Sequence, residues 1–133
     1  MFDLVWKLLL LVALVIIIVK RAGIVALFAK YKYSKGDYNG ALKIFRIADK
    51  VGNLGIGDKI LFGYNCLRCG ELAAAKNVFS MAYMLSKPAS ADRFRIMSLQ
   101  ALVAWKEGDI ELAVGFLKWT FHAVRWGIIS GFR

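Results

Sequence analysis

Apolar residues at Tyr38, Ala41, Leu42, Phe45 and Ala48 follow the i, i+3, i+4, i+7 spacing of a helix with one buried face. A turn signal, Gly36-Asp37, opens the stretch. About 34 residues on, the same order returns as Gly70-Glu71, then Ala75, Phe79 and Ala82. It returns again as Gly108-Asp109, then Ala113, Leu117 and Thr120. Small alanines at fixed offsets mark places where two helices approach too closely for a larger side chain. Two breaks separate the units: the glycine-rich run 52–57, and Lys87-Pro88-Ala89-Ser90, where proline cannot continue a helix. The pattern predicts helices over about 23–35, 38–51, 58–69, 71–86, 92–107 and 109–126. Asp58 is expected to cap the third of these, and Ser90 or Asp92 the fifth. No stretch alternates with period two for the length of a strand, so the predicted class is all-α.

The front of the chain changes the picture. Leu8 to Val19 carries no charge, and Leu4 to Val19 carries only Lys7. A bilayer core about 30 Å thick asks for roughly 20 mostly apolar residues, so this run predicts a transmembrane helix at the short end of the range. Trp6 would sit at one interface, and Lys7, Lys20 and Arg21 would snorkel to the headgroups. A cleaved signal peptide fits less well: Asp3 offsets Lys7, and no small-residue cleavage site precedes Lys20-Arg21. The excess of Lys and Arg after the span predicts a single-pass protein with its N-terminus outside and its helical domain in the cytoplasm. With no proline from Ala22 to Tyr33 and only Gly23 as a weak point, the span is expected to run straight into the first repeat helix. The expected divisions are an anchor over 1–21, an α-solenoid of about three helix pairs over 22–126, and an apolar tail over 127–133.

Composition adds a direction for partners. The formal net charge is +10 over 133 residues, which favours an acidic counterpart: anionic lipid, nucleic acid or an acidic protein segment. The positive charge is densest just after the apolar run, where topology and anionic headgroups account for it, so a nucleic-acid partner is not expected. Two cysteines form no disulfide framework.

On these residues the chain resembles the tetratricopeptide repeat family over about 23–126. The second repeat matches best, with Phe62-Gly63, Gly70, Ala75, Phe79 and Ala82; the first has Phe28-Ala29, Gly36, Ala41, Phe45 and Ala48. The third has Gln100-Ala101, Gly108, Ala113, Leu117 and Thr120. The chain departs from the family where a helix tyrosine is usual, with Lys32, Cys66 and Ala104, and only Pro88 lies near the usual closing proline. The resemblance implies a membrane-anchored, bacterial-type member that holds another protein. It implies a concave surface that includes Lys30, Tyr33, Ile60, Tyr64, Leu67, Arg68, Arg95, Leu102, Trp105 and Lys106. Cations beside aromatics there suit an extended segment with acidic and apolar residues; an ordinary amphipathic surface is the plainer alternative. Leu61 and Leu99 stand where the family's clamp for chaperone tails wants polar residues, so that ligand is not implied.

No catalytic constellation is present. His122 is the single histidine, on an aromatic helix, where packing is its ordinary role. Cys66-Leu67-Arg68-Cys69 closes a helix, whereas a redox pair should open one after a strand, and as a metal site it lacks a second pair of ligands. Gly52, Gly55 and Gly57 lack the Lys-Ser/Thr of a phosphate loop. The expectation is therefore a non-enzyme with no cofactor and no metal, acting as a membrane adaptor or scaffold for a protein partner. The alternative is a structural subunit of a membrane complex. The aromatic tail from Trp119 through Trp126 to Phe132 could fold back as a cap, or meet a partner, a lipid interface or a second copy.

Overall fold

The computed structural model describes residues 1–88 and 90–125, and every regular element among them is a helix. In order these are α1 (Phe2–Val19), α2 (Arg21–Ser34), α3 (Tyr38–Val51), α4 (Ile56–Arg68), α5 (Leu72–Leu85), α6 (Ala91–Lys106) and α7 (Ile110–Arg125). They fall into two compact units, Met1–Leu54 and Gly55–Arg133.

In the first unit α2 packs on α3. Ala22, Ala26 and Ala29 of α2 are buried, as are Ala41, Leu42, Phe45 and Ala48 of α3. Alanine at three successive turns of α2 lets the two backbones come close, and Phe45 fills the space that remains. The helix expected to run unbroken past Lys20 is interrupted there, at φ −98° and ψ 16°. The hydrogen-bond ladder carries across: Lys20 N–H donates to the Ile16 carbonyl at 2.9 Å, and Ile24 N–H to that of Lys20 at 3.0 Å. α1 has no buried residue, and it is long and apolar enough to cross a membrane by length and composition.

In the second unit α4 packs on α5, α6 on both, and α7 on α6. The core comprises Phe62, Cys66 and Leu67 of α4, Ala75, Phe79 and Ala82 of α5, and Ile96, Met97, Ala101, Val103 and Ala104 of α6. Burial of a side chain such as Phe79 contributes about 1.5–3 kcal/mol. Gly63 is what admits that ring: a Cβ there would lie 2.5 Å from Phe79 Cε1.

The three repeated turns share one hydrogen-bonded form. Gly36, Gly70 and Gly108 have φ of 83°, 78° and 84°, the left-handed region that side chains with a Cβ adopt only at a cost. The next residue's N–H reaches back five places: Asp37 to the Lys32 carbonyl, Glu71 to that of Cys66, and Asp109 to that of Ala104, at 3.1, 2.9 and 2.9 Å. This is the Schellman closure of a helix. Positions 32, 66 and 104, where the family's tyrosine is missing, thus contribute their backbone to the turn, which any side chain permits. Asp37 and Asp109 then cap the following helix, their Oδ1 accepting from Gly40 N–H at 2.9 Å and Leu112 N–H at 3.1 Å. Glu71 stands at the same place without a side-chain cap bond.

Two caps differ from or refine the expectation. α4 starts at Ile56 with Gly55 as its N-cap, not at Asp58, which lies in the first turn where a carboxylate suits the helix dipole. α6 is capped by Ser90, whose Oγ accepts from Arg93 N–H at 3.2 Å. Asp92 lies inside the helix, 3.8 Å from Arg95.

Candidate functional site

The residues expected to line a partner surface divide between the two units. Lys30 is exposed on α2, and Tyr33, half-buried, meets Tyr38 edge-on with ring centroids 5.1 Å apart. In the second unit, Tyr64 is half-buried one turn before the exposed Arg68, whose guanidinium lies 5.7 Å from the Tyr64 ring centroid. That stacking holds a cation and an aromatic face together at the end of α4, at a cost in side-chain freedom already met before a ligand arrives. Trp105 and Lys106 are both exposed at the end of α6. Leu67 does not join them. It is 4% exposed and belongs to the core, because α6 seats against the α4–α5 pair.

An apolar groove of about 470 Å³ lies between α6 and α7. Ser98, Leu102 and Trp105 form one wall; Ile110, Val114 and Leu117 form the other, with Ala101 and Ala113 at its base. Sequence reasoning had Trp105 and the aromatic last helix but not the groove they share. The signal was available: counted from the turn glycines Gly70 and Gly108, Trp105 and Leu117 repeat the places of Leu67 and Phe79. Leu67 and Phe79 are 4% and 0% exposed; Trp105 and Leu117 are 62% and 54% exposed.

Arg93 was missed altogether. It reaches back from the start of α6 to the end of α5, where Nε donates to Ser86 Oγ at 2.9 Å and Nη2 to the carbonyls of Ser86 and Tyr83 at 3.0 and 3.2 Å. The guanidinium also sits 4.4 Å from the Tyr83 ring centroid. It ties the Ser86 carbonyl and hydroxyl, and the Tyr83 carbonyl that Ser86 also bonds, to the first turn of α6, and so fixes how α6 enters its seat. Asn65 was also missed. It is fully buried on α4, with Nδ2 lacking a hydrogen-bond partner.

Cys66 is buried and Cys69 half-buried, in the last turn and C-cap of α4, and neither is in a disulfide. Among the described residues no group of three or more His, Cys, Asp or Glu could hold a metal. Trp126 and the tail over 127–133 lie outside the described residues.

No family model matches the chain, and no curated protein does. A solved structure does: PcrH in complex with the chaperone binding region of PopB, at 15% identity and a TM-score of 0.64. The likeness covers 76% of this chain and 78% of that one. The fold is tetratricopeptide-like. What the likeness carries is the all-helical hairpin arrangement, and it corrects two expectations about the front of the chain. The family member expected was a membrane-anchored one, held by Trp6, Lys7, Lys20 and Arg21, whereas the likeness to PcrH supports the repeat fold and gives the anchor no support. The single-pass location, N-terminus outside and helical domain in the cytoplasm, is corrected on the same ground. The physical reason for the misreading is that length and apolarity are the whole of the signal in α1; signal sequences meet the same criteria. The anionic-lipid partner expected alongside the anchor finds no support in this likeness.

Proposed function

We propose that the protein is a helical-repeat scaffold that binds another polypeptide and carries out no reaction. The observation that carries this reading is the likeness of its hairpin array to PcrH, whose structure holds a segment of PopB. Arrays of helix pairs present long surfaces of side chains at fixed spacing, which suits them to holding a chain. The proposed contacts are Tyr64 and Arg68, already stacked on each other, with Trp105 and Lys106 in the same unit and Lys30 and Tyr33 in the other. A stacked guanidinium over a half-exposed ring selects a segment with a carboxylate beside an apolar side chain: the cation steers and pairs, and the ring supplies area.

The test is a peptide panel read by fluorescence anisotropy against the full chain. Extended peptides that alternate acidic and apolar residues should bind, and the same peptides with lysine for each acid should bind at least about tenfold more weakly. The double variant Tyr64→Ala/Arg68→Glu should lose the acidic peptides while its helical circular dichroism is unchanged. Equal binding of acidic and basic peptides, or an unaffected double variant, would sink the proposed site.

A further inference from the structure

We infer that the groove between α6 and α7 is a docking seat for an amphipathic helix of a partner protein whose flanks are acidic. The argument starts from the seat one pair earlier, which is occupied. There α4 and α5 form the walls, and α6 of the same chain lies against both. Its Ile96, Met97, Ala101 and Ala104 are buried, an apolar stripe at helical spacing. The occupied seat thus specifies the form of an occupant: an α-helix with apolar residues on one side.

It also specifies a charge. Lys76 on α5 lies 3.8 Å from Glu107 at the end of the seated α6, so a base on the wall meets an acid on the incoming helix. The open seat repeats the walls with side chains that are larger or more exposed, Trp105 and Leu117 in place of Leu67 and Phe79. The groove's own lining carries no charge. The α7 surface that continues from it has a basic rim: Lys118 and Arg125 lie beside Val114, Leu117 and Phe121, and Lys106 follows Trp105 in sequence. Glu111 is the one acid of α7. A second copy of a chain with a net charge of +10 complements this rim poorly. The sequence after Arg125, Trp-Gly-Ile-Ile-Ser-Gly-Phe-Arg, has no acid at all. A partner's acidic helix meets both demands.

The groove and its rim share Trp105 and Lys106 with the surface proposed above, but the test touches only α7 and the tail, so the inference fails or holds independently of Tyr64 and Arg68. The probe is a fluorescein-labelled helical peptide of three turns with leucines on one face and glutamates beside them, titrated against the 133-residue chain. The expected result is saturable binding. It should weaken about tenfold or more with Leu117→Asp, and with a peptide bearing lysines for the glutamates. Lys118→Glu, a surface change that spares the packing, should weaken the glutamate peptide and strengthen the lysine one. Circular dichroism melts of both variants should match the parent. Equal binding of a scrambled peptide, or indifference to both variants, overturns the inference. So does a dimer in sedimentation equilibrium that Leu117→Asp dissociates, since the occupant is then a second copy. Binding that appears only after Ile128→Ser/Ile129→Ser overturns it too, since the chain's own tail then fills the seat.

Discussion

Gly63 offers a change whose sign separates local from tertiary effects. In an exposed helix interior, Gly→Ala stabilises by about 0.5–1 kcal/mol because the unfolded chain loses conformational freedom. Gly115, inside α7, is such a position, with nothing within 4 Å of the place a Cβ would take. At Gly63 the same Cβ would stand 2.5, 2.9 and 2.9 Å from Cε1, Cδ1 and Cζ of Phe79. That ring is fully buried, so it cannot swing away, and α4 and α5 must part instead. Overpacking of this kind costs about 1–3 kcal/mol, which exceeds the local gain. The net expectation for Gly63→Ala is a loss of about 1–2 kcal/mol, whereas Gly115→Ala gains. In a unit of this size 1 kcal/mol moves the melting temperature by about 4–8 °C, so thermal circular dichroism resolves both signs. Phe79→Leu should rescue much of the Gly63→Ala loss, giving a favourable coupling of at least about 0.5 kcal/mol in a double-mutant cycle. If Gly63→Ala raises the melting temperature as Gly115→Ala does, the packing account of the α4–α5 contact is wrong.

Removing Arg93 as Arg93→Ala strips three hydrogen bonds and a ring contact from the α5–α6 junction, and should cost about 2–3 kcal/mol in urea unfolding. Arg93→Lys should recover only part, since an ammonium lacks the planar fork. Asn65→Leu goes the other way. It replaces a buried amide whose Nδ2 has no partner, and should be neutral or stabilise by about 1 kcal/mol in the same assay. Gly70→Ala, at φ 78°, should destabilise by about 1–2 kcal/mol, whereas an alanine at Gly57 should not; equal melts for the two would contradict the turn assignment.

Much of the fold could be read in the sequence for reasons visible at particular residues. The predicted start of α3 at Tyr38 and the turns at Gly36, Gly70 and Gly108 stand where apolar spacing and a required left-handed residue coincide. Such signals are local. The faces of the helices were less legible, because which side of α6 or α4 is covered depends on the neighbouring pair. Leu67 therefore read as surface and proved to be core, and the shared groove at Trp105 and Leu117 went unseen. Arg93 was invisible for a related reason: its partners are carbonyls, which every residue has. The front of the chain failed differently. The apolar run and the charges flanking it were read as an anchor with an orientation, and a signal sequence meets the same test of length and apolarity.

The helix pairs have a bearing on how the chain reaches its folded state. α2 meets α3, α4 meets α5 and α6 meets α7 across turns of a few residues, so most packing joins near neighbours in sequence. Little loop-closure entropy stands before such contacts, and chains of this topology fold on the microsecond to millisecond scale. Synthesis proceeds at about 5–20 residues per second, far slower than that. Each hairpin can therefore close as its second helix leaves the ribosome, before the next pair exists to compete for its apolar face.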